Sequence, residues 1–102
     1  MTPDKFTELL IVVTTFASLE DAKKMAHELI NGRLAACVQI QEGMHSIYRW
    51  DGKICEGKEV LLSAKTTADK WADISSFIKS YHPYDLPEVI GYAPEKYEAH
   101  YG

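Results

Sequence analysis

The dipeptide Asp51-Gly52, which stands between two strand-like runs, is the feature that most restricts how this chain folds. A two-residue type I′ turn needs positive φ at both central positions, and Asp-Gly is a favoured pair there. The sequence therefore predicts a long β-hairpin in which Tyr48 lies opposite Cys55. Gly57, a few residues further on, is expected to mark a bulge that bends the hairpin toward the rest of the sheet.

Hydrophobic periodicity predicts the remaining elements around this hairpin. A first helix is expected to begin after Ser18 and to end at Gly32 in the left-handed conformation, and a second to end before Pro83. Strands are expected at residues 8–15, 34–41, 59–66 and 87–92. The order β-α-β-β-α-β with right-handed crossovers indicates an α+β, ferredoxin-like sandwich, in which two helices cover one face of a four-stranded antiparallel sheet.

The first predicted strand is apolar on both of its faces. Leu9, Ile11 and Val13 point to one side, and Leu10 and Val12 point to the other. Because two helices cover only one face of such a sheet, the second face needs another cover. A further copy of the same chain is the simplest one, so we expect an oligomer.

Length and composition limit the class of protein. The chain has 102 residues, 46% of them hydrophobic and 25% charged, which predicts one globular domain over residues 1–102. A net charge of −4 argues against nucleic-acid binding. The apolar run Leu9–Val13 is too short for a signal peptide or a membrane span. With two cysteines read as free thiols, we expect a cytoplasmic protein.

Five short segments occur in a characteristic order: Leu34-Ala35-Ala36-Cys37-Val38, Ser46-Ile47-Tyr48-Arg49-Trp50-Asp51-Gly52-Lys53, Glu59-Val60, Lys65-Thr66 and His82-Pro83-Tyr84-Asp85-Leu86-Pro87-Glu88. Together they resemble the CutA, or divalent-cation tolerance, family over about Leu9 to Glu88. The resemblance implies a ferredoxin-like protomer in a tight homotrimer, associated with tolerance of divalent metals such as copper. The chain departs from the family at Thr14, where some relatives carry a cysteine, and in its short segment after the fourth strand.

Cys37 and His82 are the two candidate metal ligands. A thiolate suits Cu(I) or Zn, although a strand cysteine more often packs as a small hydrophobic residue. His82 stands at a helix end, where it can bond the last carbonyls or bind a ligand. No histidine pair has metal-ligand spacing and no Cys-x-x-Cys motif is present. We therefore expect no obligatory cofactor, and weak binding of copper or another divalent metal near a subunit boundary.

Two further groups of residues are candidates for a cleft. Tyr48 and Trp50 share one hairpin face, as a ligand platform or, in the favoured interpretation, as anchors of a subunit interface. A second group combines acid, base and hydroxyl chemistry: Glu59, Lys65, Tyr84 and Glu88. An acid–base site is one interpretation of this group, and an ion-pair network at the sheet's end is the favoured one.

Three functional hypotheses follow. The leading one is a trimeric tolerance protein that is not an enzyme, since no nucleophile elbow, P-loop or dinucleotide fingerprint is present. The alternative is a signalling or scaffold trimer, similar in shape to the PII sensors, that binds a small anionic metabolite through Lys65 or Arg49. The third is an enzyme that uses Lys65, Tyr84 and Glu88 in one cleft.

Overall fold

The computed structural model describes residues 8–98 and 100 and has the predicted α+β order. Its elements are β1 (Leu9–Phe16), α1 (Leu19–Asn31), β2 (Cys37–Trp50), β3 (Lys53–Thr67), α2 (Trp71–Tyr81) and β4 (Ile90–Tyr92). The strands form an antiparallel sheet in the order β2-β3-β1-β4. The ferredoxin-like β-α-β-β-α-β prediction is confirmed. No helix in the described part is long and apolar enough to cross a membrane.

The two ends of α1 differ in how well the sequence predicted them. The side chain of Ser18 accepts a hydrogen bond from the backbone N–H of Asp21 at 3.2 Å, so the predicted cap is confirmed. The prediction of a left-handed Gly32 is wrong, because that residue has φ −80° and donates to the carbonyl of Glu28 at 2.9 Å. The left-handed residue is Arg33, with φ 59°.

The hairpin turn and register agree with the prediction. Asp51 and Gly52 have φ of 52° and 74°, and Tyr48 pairs with Cys55. Positive φ at both turn positions matches the right-handed twist of the two flanking strands. The hairpin therefore extends β2 and β3 beyond the rest of the sheet.

The predicted bulge at Gly57 is wrong. Gly57 pairs regularly with Ser46, and the irregularity lies between Gln41 and Met44 on the other strand. Gly43, between those two residues, has φ 84°, which glycine adopts without steric cost. The residues before and after this irregularity form one continuous strand rather than two.

Alternate residues of the central strands form the core beneath the helices. Side chains on this face include Val12, Phe16, Leu62 and Ala64, all fully buried, and they pack with buried residues of the helices. On the opposite face, Tyr92 pairs with Ile11 in the register of the sheet and is 50% exposed. The two helices thus leave the second face of the sheet without a cover from the described residues.

Candidate functional site

A cavity of about 880 Å³ lies between the β2–β3 hairpin and the segment after α2. It brings together five of the residues that the sequence singled out: Tyr48, Trp50, Glu59, Tyr84 and Glu88. We term it the hairpin cleft. Lys65, the sixth predicted cleft residue, does not line it.

The hairpin supplies the aromatic wall of this cleft. Tyr48 and Trp50 are two residues apart on β2, so their side chains lie on the same face. They are 50% and 67% exposed. Aromatic rings that remain so exposed are typical of a binding or subunit surface rather than of a core.

Carboxylates dominate the charge of the hairpin cleft. Glu59, Asp85 and Glu88 line it, with Lys58 as the single cationic residue among its described lining residues. The hydroxyl of Tyr84 donates to Glu59 Oε2 at 3.3 Å. Burial raises the pKa of Tyr84, and the negative charge of Glu59 raises it further. Such a surface favours a cationic ligand.

His82 lies beside the hairpin cleft and is only 7% exposed. Its Nε2 is 2.7 Å from the carbonyl oxygen of Thr15, which only accepts, so Nε2 carries the proton and donates. Its Nδ1 accepts from the backbone N–H of Tyr84 at 3.0 Å, which fixes the neutral tautomer. The ring stacks on Phe16 with centroids 4.3 Å apart. Burial lowers the pKa of His82, because the charged form is poorly solvated there.

Cys37 lies at the opposite end of the sheet from His82. It pairs with Lys65, which pairs in turn with Ile11, whereas His82 contacts Thr15, four residues further along β1. Four residues of extended strand correspond to roughly 13 Å. The two predicted metal ligands therefore belong to separate places on one protomer.

A second cavity, of about 460 Å³, contains Cys37. Three cationic residues, Arg33, Lys65 and Lys70, also line it, and we term it the cationic pocket. Arg33 follows one helix and Lys70 precedes the next, and no local pattern in the sequence marks either of them as a site residue. Arg49 lies on the hairpin instead, opposite Ile54.

The position of Lys65 also decides against the third hypothesis. Lys65 is six residues along β3 from Glu59, the hydrogen-bond partner of Tyr84, which corresponds to roughly 20 Å of strand. Lys65, Tyr84 and Glu88 therefore do not meet in one cleft of a protomer. Within one protomer, an active site built from these three side chains is not formed.

The described residues do not supply a complete metal shell. Within 8–98 and 100, no three His, Cys, Asp or Glu side chains are grouped so that they could hold a metal ion. Structural and catalytic metal sites usually take three or more protein ligands. One described protomer therefore does not fit a resident metal.

Comparison with known proteins finds divalent-cation tolerance proteins among the relatives of this chain. The divalent-cation tolerance protein CutA of Thermus thermophilus is 42% identical over 80 residues, which is 78% of each chain. The protein of the same name from Thermococcus kodakarensis is 43% identical over 82 residues, covering 80% of this chain and 78% of the relative.

Solved structures agree with the sequence relatives. The divalent ion tolerance protein CutA1 from Ehrlichia chaffeensis superposes with a TM-score of 0.89 at 28% identity, covering 93% of this chain and 89% of that one. The divalent cation tolerance protein from Thermus thermophilus gives a TM-score of 0.86 at 38% identity, covering 91% of this chain and 90% of that one. The family model described as CutA1 divalent ion tolerance protein matches residues 10–102. This chain therefore belongs to the CutA1 divalent ion tolerance protein family.

Proposed function

We propose that this protein acts in tolerance of divalent cations such as copper, as a cytoplasmic homotrimer whose subunits together hold the cation. The observation that carries the proposal is the hairpin cleft, where three carboxylates and exposed aromatic rings lie at the surface of one protomer. The names of the relatives, divalent-cation tolerance proteins, support the same role. No catalytic step is part of the proposal.

The uncovered face of the sheet supports self-association. Ile90 and Tyr92 are both 50% exposed there, on the same side as Val13 and Ile11, with which they pair. A row of apolar side chains on a sheet face favours burial against another surface. A threefold ring needs two different patches, one on each side of the protomer, and this face and the projecting hairpin meet that requirement.

Shared binding agrees with the incomplete shell of one protomer. The carboxylates of Glu59 and Glu88 offer oxygen ligands at the hairpin cleft, and a neighbouring subunit would supply the remainder. A site assembled in this way exists only in the oligomer. Dilution to the monomer therefore abolishes binding in this proposal.

Copper binding through Cys37 or His82 stays a prediction, and the surroundings of both residues favour weak binding. Copper at His82 has to displace the hydrogen bond between Nδ1 and Tyr84, because Nε2 is occupied by Thr15. Copper at Cys37 meets the positive charges of Arg33 and Lys70 in the same cavity. Each residue thus has a physical reason for low affinity.

Copper titration of the wild type, Cys37→Ala, His82→Ala and the double variant tests these ligands. We expect the double variant to bind copper at least about ten-fold more weakly, since removing even a residue that only positions a metal ligand commonly costs that much. Equal affinity in wild type and double variant would eliminate both residues. A melting curve for each variant separates lost binding from lost folding.

The carboxylate contribution is tested with Glu59→Gln and Glu88→Gln together. Glu20→Gln with Glu42→Gln, two exposed residues outside the cleft, removes the same charge and is the matched control. Only the cleft pair should weaken binding.

Sedimentation velocity tests the assembly, for which we expect three times the protomer mass of 11.5 kDa. A folded monomer at micromolar concentration contradicts the proposal.

A further inference from the structure

We propose that the cationic pocket binds a small amphipathic organic anion, with a carboxylate or phosphate head and an apolar body. The pocket lies at the opposite end of the sheet from the hairpin cleft. The inference is therefore independent of cation binding in that cleft.

The charge of the pocket comes from three separate elements. Arg33 follows α1, Lys65 belongs to β3, and Lys70 lies in the short 3-10 turn, Ala68–Lys70, that leads into α2. Among its described lining residues none is acidic, although the chain as a whole carries −4. A local excess of positive charge on an acidic protein attracts anions and repels cations.

The remaining wall of the pocket is apolar. Leu9, Ile30, Ala35 and Ala36 line it, and Ile30 is 42% exposed. An inorganic ion has no apolar surface to bury against such a wall, whereas an organic anion gains free energy by burying its carbon atoms there. The volume of about 460 Å³ lies in the usual range for small-molecule sites.

Main-chain hydrogen bonds hold the pocket walls in position. The N–H of Arg33 donates to the carbonyl of Ile30 at 3.0 Å, and the N–H of Ala36 donates to the carbonyl of Lys65 at 2.9 Å. The first bond holds Arg33 to the end of α1, and the second ties the residue before β2 to β3. A ligand therefore meets a site that is largely formed before binding, which lowers the entropic cost of association.

The side-chain chemistry favours a carboxylate or phosphate head. The guanidinium of Arg33 presents a planar donor fork that matches two oxygens of such a group, and the ammonium groups of Lys65 and Lys70 add point charges. Thr67, which lines the pocket, donates its own hydroxyl to Asp69 and so is already engaged. The head group is therefore expected to meet Arg33 and Lys70.

Calorimetry with four probes tests the proposal on the intact protein. We expect 4-phenylbutyrate, phenyl phosphate or both to bind, and the stronger of the two identifies the head group. Inorganic phosphate tests for an adventitious ion only, and the uncharged 4-phenylbutanol tests for a merely apolar groove. Both should bind at least about ten-fold more weakly than the better organic anion.

Charge removal provides the decisive comparison. The double variant Arg33→Gln, Lys70→Gln should bind the tighter of the two organic anions at least about ten-fold more weakly, since two charge-assisted contacts are lost. The pair Lys23→Gln and Lys79→Gln removes equal charge from residues that do not line the pocket, and should leave the affinity unchanged. Arg33→Lys with Lys70→Arg keeps the charge but moves the planar donor fork, so it should bind the anion more tightly than the Gln pair and less tightly than the wild type.

The two cysteines offer an internal reporter of location. Cys37 lines the pocket and Cys55 lies on the hairpin, so bound anion should slow iodoacetamide alkylation of Cys37 alone. The proposal is overturned by equal affinity in the two charge variants, or by equal slowing at both cysteines. It is also overturned if neither organic anion binds more tightly than about 1 mM, or if phosphate or the alcohol binds equally well. Cation binding through Glu59 and Glu88 in the hairpin cleft is unaffected by any of these outcomes, so the two proposals fail separately.

Discussion

Replacing Thr14 by valine should stabilise the protein. Thr14 lies on β1 opposite Leu62, fully buried, and its hydroxyl has no hydrogen-bond partner among the described residues. An unpaired buried hydroxyl has lost its bonds to water without a replacement. Valine has nearly the same shape and no polar atom, so it fits the space and removes that cost.

The expected gain follows from the cost of an unsatisfied buried group, about 1–3 kcal/mol. We therefore expect the free energy of unfolding to rise by about 1.5 kcal/mol in Thr14→Val. In a domain of this length, 1 kcal/mol moves the melting temperature by about 4–8 °C, which predicts a rise of roughly 6–12 °C. Urea unfolding and thermal melts, both at one protein concentration, measure these quantities.

Thr67→Val is the matched control, since it makes the same chemical change at the end of β3. There the hydroxyl donates to the carboxylate of Asp69, so its removal should cost about 0.5–1.5 kcal/mol. The two substitutions should thus differ in sign. Destabilisation by Thr14→Val would mean that its hydroxyl is satisfied in the assembled protein, and the argument from burial would be refuted.

Three further predictions, one of them with a control substitution, test separate parts of the structure. Burial lowers the pKa of His82 below 6.5, so the unfolded chain takes up the proton first as the pH falls from about 6.5. The wild type should therefore lose stability relative to His82→Gln over this range. A difference in urea unfolding that stays constant between about pH 7 and pH 5 contradicts this. Gly91→Ala should cost about 1–2 kcal/mol, because a Cβ there lies 2.8 Å from the Trp71 ring. Gly57→Ala is the control, because a Cβ at Gly57 has no neighbouring atom within 4 Å, and it should change the stability by less than about 0.5 kcal/mol. If both alanine variants change the stability equally, a clash with Trp71 is excluded. Ser18→Ala should lose about 1 kcal/mol in thermal melts, since the α1 cap is removed, and an unchanged melting temperature means that the cap contributes nothing.

Local chemistry explains why much of the fold was predictable. The hairpin register follows from Asp51-Gly52, because a two-residue turn leaves only one way to pair its flanking strands. The start of α1 follows from Ser18, whose side chain bonds a residue three positions away. Both signals act over a few residues and need no knowledge of the rest of the chain.

Two expectations for single residues of the fold are wrong. Glycine was assigned the left-handed position after α1, yet Arg33 adopts it while Gly32 continues the helical hydrogen bonding. The irregularity in β2 occurs near Gly43 rather than at Gly57, because the partner strand fixes where an extra residue fits. Sequence periodicity carries no information about which strand of a pair accommodates a bulge.

The candidate sites were likewise only partly predictable from the sequence. Residue types alone selected Tyr48, Trp50, Glu59, Tyr84 and Glu88, and the fold brings these five into one cleft. The same reasoning placed Lys65 with them, whereas six residues of extended strand carry it to the other end of the sheet. There it joins Arg33, which is distant from it in sequence, and Lys70, which follows five residues later; no local pattern singled out either of them as a site residue.

The amino-acid sequence by itself determined the order of the elements, the hairpin and the apolar pattern on both faces of β1, because these depend on spacings of a few residues. Only the tertiary structure decided that Cys37 and His82 are separated, that both ring nitrogens of His82 are hydrogen-bonded, and that Arg33, Lys65 and Lys70 share a cavity. Those facts depend on which residues the sheet register and the packing of the helices bring together, and contacts between distant segments leave no periodic trace along the chain.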